Sequence, residues 1–311
     1  MLAVSHERPR KVNSHNRKCA KAFDPMGAFG QHYSPALAAR VAIRPFSRIP
    51  ERIFRMKIWY QSFVNETAAP GYWNRLTDFL KSHARSGTEL VFHGITPFDS
   101  YAHPLVEWRC GREAIANAIH AGRDGFDGYL MGHFQDSGLY EARAASAVPV
   151  ISLGEASMLY GCQYGQKIGI ITINPRFIPG HEHQVKKYGL ADRVTDIHAL
   201  QFEPGQILAA FDDADLLQQV ADEFTRQAEP LVAAGVDVLI PAGGIPMLLF
   251  AQINGFRVAD APVLNGLPVA LRMTELAVEM RQMFGLEVSR TRDFIRPPDD
   301  ILDEFLDHPK L

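Results

Sequence analysis

The chain has 311 residues, 47% of them hydrophobic, and a formal net charge of −3. That is room for one large domain or two medium ones, and the small charge leaves no electrostatic footprint for nucleic acid or an anionic membrane. No apolar run nears the ~20 residues that span a bilayer, and three scattered cysteines, Cys19, Cys110 and Cys162, make neither a disulfide framework nor a zinc site, so a reducing, cytoplasmic setting is expected.

Residues 1–55 open on a basic, polar stretch without the apolar core of ~7–15 residues that a secretory signal needs. They read as a disordered or non-native N-terminal extension, with Met56 opening the first strand in Met-Lys-Ile-Trp-Tyr-Gln-Ser-Phe. From there short apolar runs alternate with helical stretches. Strands are expected at Lys57–Gln61, Glu89–His93, Phe126–Met131 and Val148–Ser152, then at Lys167–Thr172, Val194–Leu200, Val236–Ile240 and Pro262–Leu264. Between them, apolar spacings of three and four predict helices over Tyr72–Ser86, Gly111–Ala121, Leu216–Ala234 and Pro268–Phe284. Strands alternating with helices give βαβ units and parallel sheets. Arg296-Pro297-Pro298-Asp299-Asp300 breaks regular structure, with a short closing helix expected over Ile301–Leu306.

The two sets of strands look alike, and each third strand ends in a glycine-bearing turn. Phe126–Met131 runs into Gly132-His133-Phe134-Gln135-Asp136-Ser137-Gly138. Val236–Ile240 runs into Pro241-Ala242-Gly243-Gly244-Ile245-Pro246. Ligands of open α/β sheets sit outside the carboxyl ends of strands, so the pair predicts two half-sites facing one cleft. The first offers an imidazole and a carboxylate, the second only backbone and glycine.

Other motifs carry less. No GxGxxG follows the first strand and no GxxxxGK[ST] is present, so nucleotide binding has no support. His181-Glu182-His183 lacks the HExxH spacing of a zinc helix and reads as a solvated helix face, with no metal. His93 and His103 flank the loop Gly94–Pro104 and read as solvated or capping histidines, with His93 alternatively on the cleft rim. Glu155 opens a helix, where a carboxylate complements the dipole.

The segments His133-Phe134-Gln135-Asp136-Ser137-Gly138-Leu139 and Val148-Pro149-Val150-Ile151-Ser152-Leu153-Gly154-Glu155-Ala156 resemble the aspartate/glutamate racemase superfamily, and within it the hydantoin/allantoin racemase branch. Ile168–Thr172, Ala234–Asp237 and Pro262–Gly266 add to the likeness, which covers about residues 56–286. It implies an α/β fold of two pseudo-symmetric, Rossmann-like (flavodoxin-like) lobes with parallel sheets and a cleft between them: 56–153 plus 267–286, then 154–266, with 287–311 as a tail. It further implies cofactor-independent proton transfer at the carbon α to a carboxylate or carbonyl by two opposed cysteines, a small carboxylate or cyclic amide as substrate, and a possible homo-oligomer.

Both thiol positions differ here. The first matches His133 and the second Gly243, and none of the three cysteines lies where it can substitute. His133, with a reference pKa of ~6.5, is then the candidate general acid or base, oriented by Asp136 or Gln135. The Gly243–Gly244 turn and the Phe134–Gly138 turn, which includes Ser137, are expected to present backbone N–H groups to an anion. Gln61, where the resemblance places a substrate-contacting asparagine, and Thr172, ending the equivalent strand of the second lobe, are expected to hold a carboxylate or amide. Three readings stay open: an isomerase, decarboxylase or hydrolase working through His133; a non-catalytic small-molecule binder on a degenerate racemase fold; or a racemase whose second acid is a Tyr or Asp on the Thr96–Tyr101 loop.

Overall fold

The computed structural model describes residues 55–308 apart from Ser100, so the expectations for residues 1–54 lie outside the described residues. Strands β1 (Met56–Gln61), β2 (Thr88–His93), β3 (Gly128–Met131) and β4 (Val150–Ser152) form a parallel sheet in the order β2-β1-β3-β4. Strands β5 (Ile168–Thr172), β6 (Val194–Ala199) and β7 (Val238–Ala242) form a second parallel sheet in the order β6-β5-β7. Beside β7, Leu239 bridges Val263 in parallel, which repeats the position of β4. The expected strand Pro262–Leu264 shrinks to this bridge, because Ala261–Pro262 (β9) turns back to pair antiparallel with Arg257–Val258 (β8).

Helices α1 (Pro70–His83), α2 (Pro104–Arg123), α3 (Leu139–Ala145) and α4 (Leu153–Gly161) alternate with the first strands. Helices α5 (Ile178–Lys187), α6 (Pro204–Ala209), α7 (Ala214–Ala233) and α8 (Gly244–Phe250) belong to the second set, followed by α9 (Gly266–Phe284) and α10 (Asp299–Asp307). Helix α2 starts well before Gly111, because Nδ1 of His103 accepts from the Leu105 N–H at 3.1 Å and Pro104 pre-sets the first helical residue. His103 is thus a cap.

The side-chain alternation of a strand explains how the lobes join. Ile58, Tyr60 and Leu130 face one way, into a core that also holds Leu76 and Leu80 of α1, Leu271 and Val278 of α9, and Ile170, Ile240 and Phe224 of the second lobe. Trp59, Tyr129 and Met131 face the other way, under Ala114 and Ala118 of α2 and Leu139 of α3. One apolar core therefore runs through both lobes, and the described residues form one compact unit. Helix α9 closes it on the first sheet, where Glu275 accepts from the Arg85 N–H and from Thr88 Oγ1, each at 2.8 Å.

Strand β7 runs on through Pro241 to Ala242. Leu239 and Pro241 point their backbone groups to the same neighbour, and only Leu239 has one there, accepting from Leu264 N–H at 2.8 Å. The missing N–H of Pro241 faces the free edge, where no ladder bond is lost.

Candidate functional site

The carboxyl ends of β1, β3, β5 and β7 converge on a cavity of about 90 Å³. His133 projects into it from the turn after β3. Gly132 makes that turn possible, since a Cβ there would lie 2.2 Å from Tyr60 Oη. The imidazole stacks on Phe63 with centroids 3.8 Å apart and planes 6° from parallel. Its Nε2 lies 2.7 Å from Oε2 of Glu107, an oxygen that also accepts from Ser137 Oγ at 2.8 Å. Burial raises the Glu107 carboxyl, but the charge and hydrogen bond of His133, with Ser137 and Asp99, outweigh it and leave the group below its ordinary value. Nδ1 of His133 has no hydrogen-bond partner among the described residues.

Across the cavity stand Gly243 and Gly244, at the opening of α8. Gly243 takes φ +141°, and a Cβ there would meet the ring of Pro246 at 3.0 and 3.3 Å. Tyr72 presents its hydroxyl to this wall, 3.0 Å from where a Cβ of Gly244 would stand. Burial pushes its phenol above the usual range, so it serves as a hydrogen-bond donor at neutral pH. Asp99 and Gln135 also line the cavity. Asp99 sits beside Glu107, on the His133 side, and Tyr101 is turned outward, 71% exposed.

A family model for Asp/Glu/hydantoin racemases matches residues 64–274. This chain belongs to the Asp/Glu/hydantoin racemase family. It is 27% identical over 223 residues to the hydantoin racemase of Pseudomonas sp. (strain NS671), a match covering 70% of this chain and 83% of that one. The match to the hydantoin racemase of Rhizobium meliloti is 23% identical over 158 residues, covering 49% of this chain and 60% of that one. The allantoin racemase from Klebsiella pneumoniae shares the fold, with a TM-score of 0.64 at 23% identity over 78% of this chain and 94% of the other. The one from Pseudomonas fluorescens has a TM-score of 0.61 at 19% identity, over 78% and 97%. The α/β architecture of two parallel-sheet lobes is that of the family.

Within that fold, several residues named from sequence stand elsewhere than expected. Asp136 does not orient His133. It is buried, accepting from the Gly154 and Glu155 N–H groups at 3.1 and 2.8 Å, from Gln184 Nε2 at 3.2 Å and from Tyr188 Oη at 2.7 Å. It caps α4 and ties the β3 turn to both lobes, and burial pushes its carboxyl up to about 6 despite these donors. Glu107 takes the orienting place, and Gln135 lines the cavity without bonding to the ring. Gln61 is fully buried and faces α2: its Oε1 accepts from Trp59 Nε1 at 3.1 Å and Asn117 Nδ2 at 2.8 Å, and its Nε2 donates to Ser62 O at 2.9 Å. Thr172 is likewise buried, its hydroxyl 3.1 Å from Nε2 of His181. Neither Gln61 nor Thr172 lines the cavity.

His181 is also not on a solvated face. Nδ1 donates to Gln184 Oε1 at 2.6 Å, and Gln184 Nε2 donates to Phe134 O at 2.7 Å, next to His133. Burial lowers His181 to about 4, which keeps it neutral, accepting from Thr172. Glu182 and His183 are exposed, and no metal-binding cluster exists among the described residues. His93 stacks on Trp59 at 3.5 Å, away from the cavity, with Nε2 buried and unpartnered. Glu155 receives Arg143 at 2.5 Å.

Three site residues escape sequence reasoning: Glu107, Tyr72 and Phe63. Glu107 and Tyr72 lie in the first turns of helices that follow strands, where side chains overhang the strand ends. His103-Pro104 is the signal that places Glu107 in such a turn.

Proposed function

We propose that the chain is a cofactor-independent enzyme that moves a proton at the carbon α to the carbonyl of a small carboxylate or cyclic amide, with His133 as the acid–base group. The observation that carries this reading is the His133–Glu107 pair, set in a cavity at the carboxyl ends of the parallel strands. A carboxylate on Nε2 fixes the ring and its tautomer and leaves Nδ1 open to take a proton, the arrangement a general base needs. The Gly243–Gly244 turn and the Tyr72 hydroxyl supply N–H and O–H donors on the facing wall, suited to an enolate-like oxygen. The curated relatives, both hydantoin racemases, favour a cyclic amide over an open carboxylate.

In place of a second thiol the facing wall carries the Tyr72 hydroxyl, which burial holds protonated as a hydrogen-bond donor. Proton transfer therefore runs on one face: isomerisation and decarboxylation both place a proton at the α carbon, whereas hydrolysis would use the same imidazole to activate water. Nuclear magnetic resonance in heavy water, on a panel of hydantoins and α-substituted carboxylates, tests it. Deuterium enters at the α carbon faster than the centre inverts. Inversion as fast as exchange contradicts one-face transfer.

Gly243 favours a second reading, a binding protein without turnover on the racemase fold. Under it, compounds bind the cavity with no exchange, decarboxylation or hydrolysis, and His133→Ala alters affinity alone.

A further inference from the structure

We propose that a groove next to the cavity, walled by the C-terminal helix α10, seats an apolar arm of the same ligand whose polar head meets His133. This rests on the reading of His133 as the reacting end. The groove has a volume of about 1100 Å³, at the upper limit of the ~300–1,000 Å³ typical of small-molecule sites. Glu107, Gln135 and Phe177 line both spaces, so the two meet along these side chains. The head cavity, at about 90 Å³, is far smaller than the groove. A ligand larger than a small ring extends into the groove.

Much of the groove wall is apolar. Trp108 and Ile115 of α2, Pro179 of α5, and Ile301 and Phe305 of α10 line it. Trp108 is 68% exposed and Ile301 49%, so apolar surface stands uncovered beside a reactive centre, as at ligand sites. Helix α10 is held in place to form this wall. Leu302 is buried against Ile119 and Ala145. Arg112 donates to Phe305 O at 3.3 Å and His308 O at 2.9 Å, and Arg123 pairs with Asp303 at 2.8 Å. The wall lies outside the stretch 64–274 that the family model matches. The ligand class is a cyclic amide or carboxylate bearing an aryl or long alkyl substituent, and Trp108 and Phe305 set the preference for that substituent.

Calorimetry on the full chain tests this with two pairs of probes: 5-methylhydantoin against 5-benzylhydantoin, and propanoate against 3-phenylpropanoate. In at least one pair the aryl compound binds at least about tenfold tighter, from the apolar area of one ring. That ratio collapses in Trp108→Ala, an exposed position whose loss leaves the core intact, and in Phe305→Ala. Equal affinities within both pairs, a ratio unmoved in both variants, or no binding of any probe overturns the proposal. Deuterium exchange on the same compounds is read separately. Exchange that needs His133 while the ratio stays flat rejects the groove and keeps the catalytic reading. A groove-dependent ratio without any turnover supports the groove and rejects the catalytic reading.

Discussion

The carboxylate of Glu107 lies 2.7 Å from Nε2 of His133, and both side chains are largely shielded, at 12% and 15% exposure. The imidazole is thus fixed on two sides, by Glu107 at its edge and by Phe63 on its face. Glu107→Gln keeps the size and replaces the carboxylate that fixes the ring and its tautomer. Turnover falls about 10- to 100-fold while KM changes little, as measured by steady-state kinetics on an exchanging substrate. A loss carried by KM alone contradicts the pairing.

Gly243 holds a φ of +141°, a conformation open to glycine and strained for other residues. Gly243→Ala places a methyl against the Pro246 ring as well. The variant loses about 1–3 kcal/mol of stability in urea unfolding. Gly243→Cys meets the same obstacle and is destabilised in the same way. Either variant unfolding at the wild-type midpoint contradicts this.

His181 links pH to stability. Its folded pKa, about 4, lies below the ~6.5 of an unfolded histidine, so the unfolded chain binds the proton more readily. Stability is lost as pH falls below ~6.5, by about 2 kcal/mol on reaching pH 4.5. Asp136, raised to about 6, acts in the opposite sense, gaining relative stability as it takes up its proton. Comparison with His181→Gln isolates the histidine: unfolding free energies at pH 7 and 4.5 fall less in the variant than in wild type. Equal falls contradict a neutral buried His181.

Gln61 is a structural residue in this fold. Gln61→Ala strips Trp59 Nε1 and Asn117 Nδ2 of their acceptor in a buried place, which costs about 1–3 kcal/mol. Ligand affinity at a temperature where the variant is folded stays as in wild type. A variant of full stability with weakened binding reverses the assignment.

The strands were legible because their signals are local: β-branched and aromatic runs closed by glycine turns. His133 was legible for the same reason, standing two residues past a strand end. Its partner was not, because Glu107 lies 26 residues away on another element, in a helical turn hidden by the Pro/Asp/Ser loop before it. Gln61 and Thr172 are the last residues of their strands, two short of the turn position that His133 holds, and their side chains are bonded inside the protein. Strand period alone does not say which face of an all-buried parallel sheet meets the cavity. His181 misled because its neighbours Glu182 and His183 are exposed, while the helical turn carries His181 inward with Gln184 and Val185.

The central claim is that His133 moves the proton. The most direct measurement is the rate of deuterium incorporation at the α carbon of a bound hydantoin or carboxylate, in wild type and in His133→Ala at saturating ligand. The account predicts a fall of at least about 100-fold, with the ligand still binding. Exchange in the variant within a few-fold of wild type contradicts it.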